Sequence, residues 1–421
     1  MRILVTGKIG SGKSTYAKAL AESLADLGYV LVDADLITRD MMSDPACQEA
    51  AIRIAGSTER SAIAAATFAD PQKLREWEQA SLPAWTRLLR ERIAAPRAVI
   101  DFPLALESQI GLPCADLLVG VTASDPARKA RACSRLGWDS ARFDTVDALQ
   151  ISSRAKMSFC DMFAPNDQSA EDLAGLALSL ARSIRALEDI QAESLSLVGP
   201  LAWRAIVRAY CEPHRRYHGG THLKALFDAI DPALRSDPAC MLAILYHDFV
   251  YDAGPGYLRN EELSCQALSR HARDFFPSLL AIPDGGPGSF GAVALACAMI
   301  DATKGHSASD PWITQHPERL SRAQAFLDAD LSILGGASDE EFWAYDEAIA
   351  QEFADIPRAQ YHLARADAME AFCSPERGPL YQTALRSNWE ARARRRISEL
   401  VDRHRALGSD QANILATTRK E

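Results

Sequence analysis

The stretch from Gly7 to Thr15 has the residue types and the spacing of a phosphate-binding loop. It reads GKIGSGKST and fits the pattern G-x-x-x-x-G-K-[ST] at every fixed position. Glycines let backbone N–H groups point at phosphate oxygens, while a lysine reaches the terminal phosphates and a serine hydroxyl holds Mg²⁺. We therefore predict a nucleoside triphosphate site. Its residues are Gly7, Gly10, Ser11, Gly12, Lys13, Ser14 and Thr15.

Aspartates follow two further apolar runs in the first half of the chain. Asp33 and Asp35 come after residues 30–32, and Asp101 comes after residues 98–100. Ligands of parallel sheets bind beyond the carboxyl ends of the strands, where these side chains would lie. An apolar strand that ends in aspartate is the usual second Mg²⁺-side element beside a phosphate loop, which favours Asp101. Aspartates at strand ends are also common turn residues, so spacing alone leaves Asp33 and Asp35 open between the two roles.

Basic residues lie on the helix predicted to begin at Ser124. Arg131 and Arg135 are four residues apart and share one helix face. They can either close together over a triphosphate or form a solvated face, and the spacing does not decide between these roles.

Histidines and aspartates form a second candidate site in the other half of the chain. His218 and His222 are four apart on one predicted helix face, and Asp248 directly follows His247. His306 is predicted to end a helix, and Asp330 to close a later one. Imidazole and carboxylate together suit divalent ions such as Zn²⁺, Mn²⁺, Fe²⁺ and Mg²⁺.

The elements that position these residues differ between the two halves. Short apolar strands alternate with helical stretches up to about residue 190, which predicts a parallel sheet covered on both faces. Beyond residue 198 the pattern is helical throughout and predicts an all-α domain. The predicted helices are 201–212, 221–230, 239–247, 260–276, 292–303, 319–327, 340–353 and 379–404. We expect domains at 1–190 and 198–405, and a tail at 406–421.

Composition narrows the class of protein. The net charge of −10 argues against a nucleic-acid-binding surface, which needs a cationic stripe. The nine scattered cysteines fit reduced thiols in the cytoplasm better than a disulfide framework. Met1 leads directly into the first strand and no apolar run is long enough to span a bilayer, so we expect neither a signal peptide nor a membrane partner.

The first half resembles the dephospho-coenzyme A kinases over roughly residues 1–185. The similarity is carried by the phosphate loop, VDADLITR at 32–39, FADP at 68–71, IDFPLALE at 100–107 and the Arg131/Arg135 segment. It implies an α/β P-loop kinase that uses ATP and Mg²⁺ to phosphorylate the 3′-hydroxyl of dephospho-coenzyme A. Asp33 would position or deprotonate that hydroxyl, Arg39 would hold the acceptor, and Arg135 would be the lid arginine.

The second half resembles the HD-type metal-dependent phosphohydrolases over roughly residues 198–403. The similarity is carried by RYHGGTH at 216–222, YHDFVYD at 246–252, NEELS at 260–264, ATKGH at 302–306 and LDADL at 327–331. The string Y-H-x-x-x-H is also similar to the cyclic nucleotide phosphodiesterase site. The resemblance implies that His222, His247, Asp248 and Asp330 are metal ligands. His218 would be the proton donor and His306 a neighbour of a second metal or of the substrate.

Three functions from different classes stay open. Both sites are active, giving a fused kinase and phosphohydrolase that acts on small phosphorylated molecules or nucleotides. Alternatively, the kinase alone is active and the helical half is a non-catalytic regulatory or binding module. In the third, a degenerate P-loop domain senses nucleotide and regulates an active hydrolase. The sequence does not give the hydrolase substrate, its metals or the oligomeric state.

Overall fold

The chain divides into an N-terminal unit, Met1–Ala181, and a C-terminal unit, Arg182–Glu421. The computed structural model describes residues 1–92, 96–108, 115–254, 257–281 and 291–418. The division falls within one long helix, Ala170–Asp189.

The N-terminal unit is built on a parallel sheet with strand order β2-β3-β1-β4-β5. Its described strands are β1 (Arg2–Thr6), β2 (Val30–Asp33), β3 (Ala98–Asp101), β4 (Leu117–Thr122) and β5 (Met162–Pro165). The continuous apolar runs of β1, β3 and β4 are buried, as expected of central strands covered on both faces. The alternating sheet and helix confirm the α/β prediction for this region, although β5 was not predicted.

Helices connect the strands and cover the sheet. They are α1 (Lys13–Ser23), α2 (Ala34–Asp40), α3 (Pro45–Ala55), α4 (Arg60–Ala69), α5 (Pro71–Arg92), α6 (Ala105–Ser108), α7 (Asp125–Leu136), α8 (Ser140–Ala148), α9 (Ser153–Phe159) and α10 (Ala170–Asp189). Trp85 of α5 packs against Phe102, with ring centroids 4.8 Å apart, in a core that includes Leu4 and Ile100.

Strand register brings the predicted acidic residues together. Asp33 pairs with Asp101 across β2 and β3, and Asp101 pairs with Val5 of β1. β1 leads directly into the phosphate loop, so both aspartates lie at the same edge of the sheet as that loop.

The C-terminal unit is helical in all the parts that the structure describes. Its helices are α11 (Gln191–Tyr210), α12 (Gly220–Ala229), α13 (Pro238–Tyr246), α14 (Asn260–Phe275), α15 (Gly291–Ala302), α16 (Pro311–Thr314), α17 (Pro317–Asp330), α18 (Ser332–Gly335), α19 (Asp339–Glu352), α20 (Arg358–Phe372) and α21 (Glu390–Thr418). α11 is interrupted at Gly199, whose φ is +74°. Helix α13 is buried from Ala239 to Tyr246, which makes it the centre of the unit.

Several predicted helix boundaries in this unit are wrong. His218 does not share a helix with His222, because α12 begins at Gly220 and Gly219 is extended. The last helix begins at Glu390 rather than residue 379, since Glu390 accepts the N–H groups of Leu380 and Tyr381.

Two further differences concern elements rather than single residues. Helix α15 ends at Ala302, so His306 lies in the turn that follows rather than at the helix end. Helix α20 was not predicted, and α21 runs to Thr418, beyond residue 404.

None of the described helices is both long enough and apolar enough to cross a membrane.

Candidate functional site

The phosphate loop depends on glycine at two left-handed positions. Gly10 has φ +76° and Gly12 has φ +94°, and Gly12 caps the start of α1. A Cβ atom at Gly10 would meet the backbone of Arg128, and one at Gly12 would meet the side chain of Asn166. Both glycines are therefore required by conformation and by space. Lys13 is the first residue of α1, so its backbone and its ammonium lie at the positive end of that helix.

A network of charged side chains contacts the phosphate loop and holds its backbone. Arg128 of α7 is fully buried and donates to the Ile9 carbonyl (3.1 Å) and to Asp147 (2.5 Å). Lys8 donates to the same carboxylate at 2.6 Å. Burial opposes the charged form of Asp147, but the hydrogen bonds from Arg128 and Lys8 outweigh it and lower the pKa of that carboxyl. The network thus fixes the loop backbone with charged groups that are already paired.

Asn166, at the end of β5, holds the other side of the loop. Its Nδ2 donates to the Ser11 carbonyl at 2.8 Å, and its own carbonyl accepts from Arg131 at 2.8 Å. Gln150 accepts the Ile9 N–H at 2.8 Å. Sequence reasoning missed Asn166, Asp147 and Gln150, because the loop residues that they contact lie more than a hundred positions away along the chain.

Asp101 and Ser14 form an oxygen-rich corner beside Lys13. Burial raises the pKa of Asp101, although the Lys13 ammonium and the Ser14 hydroxyl both favour its charged form. Within the described residues, Asp101 Oδ1 is buried without a hydrogen-bond partner. A hydroxyl and an unpartnered carboxylate oxygen are the ligands that Mg²⁺ prefers, so these residues fit the ion.

The Asp33 carboxylate is held by a backbone hydrogen bond, whereas the predicted arginines Arg39 and Arg135 are exposed. Asp33 Oδ1 accepts the Asp35 N–H at 2.8 Å, which caps α2 and orients the carboxylate. Arg39 on α2 and Arg135 in the last turn of α7 are exposed. Arg131 instead donates to the backbone carbonyl of Asn166, the residue that holds the phosphate loop.

In the C-terminal unit, four side chains converge into what we call the His–Asp cluster: His222, His247, Asp248 and Asp330. His222 Nε2 lies 3.0 Å from His247 Nε2, 3.3 Å from Asp330 Oδ1 and 3.6 Å from Asp248 Oδ2. His247 Nε2 lies 3.0 Å from Asp248 Oδ2 and 3.8 Å from Asp330 Oδ1. The residues come from the first turn of α12, the end of α13 and the end of α17.

These separations fit a shared divalent ion. Metal–nitrogen distances of about 2.0–2.1 Å place neighbouring tetrahedral ligand atoms roughly 3.3 Å apart. His247 Nδ1 lies 2.9 Å from the Ile244 carbonyl, to which it donates, so Nε2 is the nitrogen that would lose its proton and bind a metal at the cluster. Two imidazole nitrogens with two carboxylates suit Zn²⁺ or another divalent transition metal, and Mg²⁺ less well.

Burial and neighbouring charges shift the pKa values of all four side chains of the cluster. Burial opposes protonation of His247, but Asp248 outweighs it and raises the pKa of His247 to about 9. Burial lowers the pKa of His222 despite its contact with Asp330. The neighbouring histidines overcome burial and hold the pKa values of Asp248 and Asp330 below their usual range. Both carboxylates are therefore charged, as metal ligands must be.

His306 and His218 flank the cluster on separate segments. His306 Nε2 lies 3.0 Å from Asp330 Oδ2, the oxygen that does not face His222. The ring of His218 packs edge-on against the ring of His222 at 5.5 Å and stacks on Tyr251 at 4.3 Å. His218 therefore lies beside the cluster although it is outside the helix.

Glu352 orients His218 and was missed by sequence reasoning. Its Oε1 accepts the N–H groups of Arg216 (2.7 Å), Tyr217 (2.7 Å) and His218 (3.0 Å). Its Oε2 lies 2.7 Å from both His218 Nδ1 and the Tyr251 hydroxyl. Burial opposes the charge of Glu352, but these bonds lower its pKa to about 2. The last residue of a helix, distant in sequence, carries no local signal of this role.

Arg215 fixes the backbone next to the cluster. It is buried and donates to the carbonyls of Asp248 (2.5 Å), His218 (3.2 Å) and Phe249 (3.0 Å). One guanidinium thus ties the segment of His218 to the segment of Asp248.

Comparison with known proteins identifies the N-terminal part of the chain. The family model for dephospho-CoA kinase matches residues 1–172. The dephospho-CoA kinase of Anaeromyxobacter dehalogenans is 34% identical over 202 residues, covering 44% of this chain and 93% of that protein. That of Leifsonia xyli is 33% identical over 185 residues, covering 40% and 90%. That of Aggregatibacter actinomycetemcomitans is 31% identical over 182 residues, covering 40% and 84%. The family match ends at residue 172, so an assignment of the C-terminal unit depends on its own geometry.

Proposed function

This chain belongs to the dephospho-CoA kinase family, and we propose that its N-terminal unit transfers the γ-phosphoryl group of ATP to the ribose 3′-hydroxyl of dephospho-coenzyme A. One observation carries the assignment to this chain. The phosphate loop, Asp33 and Asp101 lie at one edge of the sheet. The groups that would bind the phosphates, align the acceptor hydroxyl and hold Mg²⁺ are therefore neighbours.

The residues divide the work of phosphoryl transfer between positioning and charge. The loop N–H groups and Lys13 would hold the phosphates, and Ser14 and Asp101 would hold Mg²⁺, which would neutralise charge on the phosphates. Asp33, held by its bond to the Asp35 N–H, accepts the proton of the acceptor hydroxyl or aligns it. Arg39 would bind the acceptor, and Arg135 would close over the triphosphate as a lid residue.

The test is coenzyme A formation from ATP and dephospho-coenzyme A. Lys13→Ala should abolish it, whereas Lys18→Ala, which removes an exposed lysine from the same helix, should leave it intact. If wild type makes no more coenzyme A than Lys13→Ala, the kinase proposal is wrong. In that case ATP binding without turnover would favour a nucleotide-sensing role for this unit.

We also propose that the C-terminal unit is a metal-dependent phosphohydrolase of the HD type, acting on a phosphorylated small molecule or a nucleotide. Two imidazole nitrogens lie 3.0 Å apart, and each lies within 3.0–3.8 Å of an Asp248 oxygen and an Asp330 oxygen; this arrangement carries the second function. A divalent ion held there would activate water and polarise a phosphoryl oxygen.

The surrounding residues prepare the proton transfer that such a reaction needs. Glu352 accepts a hydrogen bond from the Nδ1–H of His218, which directs Nε2 of that ring away from Glu352, where it would act as the acid for a departing oxygen. Tyr251 stacks on the ring and donates to the same carboxylate, so the orientation of His218 is fixed from two sides.

Metal analysis of the purified chain tests this second function. Wild type should carry a stoichiometric divalent ion, and Asp248→Ala should lose it. Asp228→Ala removes an exposed carboxylate of α12 that pairs with Lys224, and should retain the ion. Equal metal content in wild type and Asp248→Ala would show that the proposed set of metal ligands is wrong. Metal binding without phosphatase or phosphodiesterase activity would favour a non-catalytic helical module.

A further inference from the structure

An arginine from a distant segment, Arg377, is bonded to the turn that follows α15, near the His–Asp cluster. His306 has a left-handed backbone, φ +44°, which is unusual for a residue with a side chain. Arg377 donates to the carbonyl of the preceding residue, Gly305. Its guanidinium lies 3.9 Å from the ring centre of Phe372, and that ring packs edge-on against His306 at 5.5 Å. Since His306 contacts Asp330, two side chains, Phe372 and His306, lie between Arg377 and the cluster.

Arg377 carries a charge that the described part of the protein does not balance. No carboxylate described in the structure pairs with it, in contrast to Lys304, which is next to Gly305 and pairs with Asp301. Burial lowers the pKa of Arg377. A half-buried guanidinium without a counter-charge costs free energy, so an anion is the expected partner.

The fixed orientation of the guanidinium indicates the kind of anion. Stacking on Phe372 and the bond to Gly305 hold the planar group in one position. A planar fork of N–H donors matches two oxygens of one phosphoryl group, which a lysine ammonium cannot do.

Building on the proposed phosphohydrolase function, we propose that Arg377 binds the phosphoryl oxygens of the substrate, an organic phosphate ester, beside the metal centre. Phe372 and His306 lie between the Arg377 guanidinium and Asp330, and their rings set how far the phosphate extends from the metal ligands. Arg377 is thus a substrate-binding residue and not a metal ligand.

Calorimetric titration with inorganic phosphate tests the proposal on the full, metal-loaded chain. All variants carry Lys13→Ala, which weakens phosphate binding at the loop of the N-terminal unit, and an added Asp248→Ala defines the remaining background. Arg377→Ala should bind phosphate roughly 10- to 100-fold more weakly than the parent, and Arg377→Lys should be intermediate. Both should keep the metal content of the parent.

Arg235→Ala is the matched control. Arg235 also stacks on a phenylalanine, Phe227 at 5.0 Å, and donates to a backbone carbonyl, that of Asp228 at 2.9 Å. Its removal should leave phosphate affinity unchanged. If Arg377→Ala retains both metal and full phosphate affinity, or if the metal-loaded parent binds no phosphate above background, the assignment of Arg377 is wrong. A parent that takes up no metal refutes the proposed function, and the assignment of Arg377 falls with it.

Discussion

Replacing Glu352 with glutamine removes one negative charge and preserves the size of the side chain. Glu352 lies at the end of α19, and its carboxylate is inaccessible to solvent. The glutamine oxygen can still accept the three backbone N–H groups that Oε1 receives. Its amide group, however, presents a donor to His218 Nδ1 and to the Tyr251 hydroxyl, which now donate to Oε2. The substitution therefore weakens the hold on the segment that contains His218.

The size of the effect follows from the pKa of Glu352. The hydrogen bonds lower that pKa from 4.5 to about 2, despite burial, which opposes the charge. At about 1.4 kcal/mol per pKa unit, the shift corresponds to roughly 3 kcal/mol. Because the pKa is lower in the folded state, this stabilisation is complete above pH 4.5 and is lost as the pH falls toward 2.

Hydrogen exchange of the 216–218 amides measures the local opening free energy directly. At pH 7, Glu352→Gln should exchange these amides roughly 100-fold faster than wild type, and the difference should shrink as the pH falls from 4.5 to 3. Glu347→Gln removes an exposed charge from the same helix and should change the exchange little. A less than threefold change at pH 7, or a change that does not depend on pH, would show that the carboxylate charge does not hold this segment.

Three further substitutions test the remaining parts of the two sites. Arg128→Leu leaves the partly exposed carboxylate of Asp147 with one partner fewer, so it should lower the free energy of unfolding by about 2 kcal/mol and weaken ATP binding; an unchanged melting temperature would contradict this. Asp101→Asn should raise the Mg²⁺ concentration needed for ATP turnover at least tenfold, and an unchanged Mg²⁺ titration would exclude Asp101 from the ion site. His218→Ala should keep its metal but slow hydrolysis about 10²–10⁴-fold, with a smaller loss for phosphate esters of acidic phenols, whose oxygens depart without a proton; equal losses for both ester types would exclude proton donation.

The sequence was most informative where chemistry and local structure share the same few residues. The phosphate loop is contiguous, and its strand and helix flanks were visible as an apolar run and a helical repeat. Asp33 and Asp101 were found because both directly follow apolar strands, and a parallel register places such residues at one edge. His247 and Asp248 were found because they are adjacent in the chain.

The supporting residues could not be predicted because their contacts join distant segments. Asn166 meets the loop across 155 positions, and Glu352 meets His218 across 134 positions. Neither residue type is unusual where it occurs. The wrong helical placement of His218 has the same origin, since the three N–H groups of residues 216–218 that a continuing helix would have used are held by Glu352.

Helix ends explain why the His–Asp cluster forms without a contiguous motif. His222 lies in the first turn of α12, His247 directly follows α13, and Asp330 is the last residue of α17. Side chains at helix ends can turn toward a common point while the helix bodies stay packed, as the buried α13 does. Arg215 donates to the carbonyls of His218 and Asp248, and so fixes the non-helical backbone next to the cluster. The cluster therefore holds its geometry through packing and backbone hydrogen bonds, so removal of a single ligand such as Asp248 should empty the site of metal while the unit stays folded.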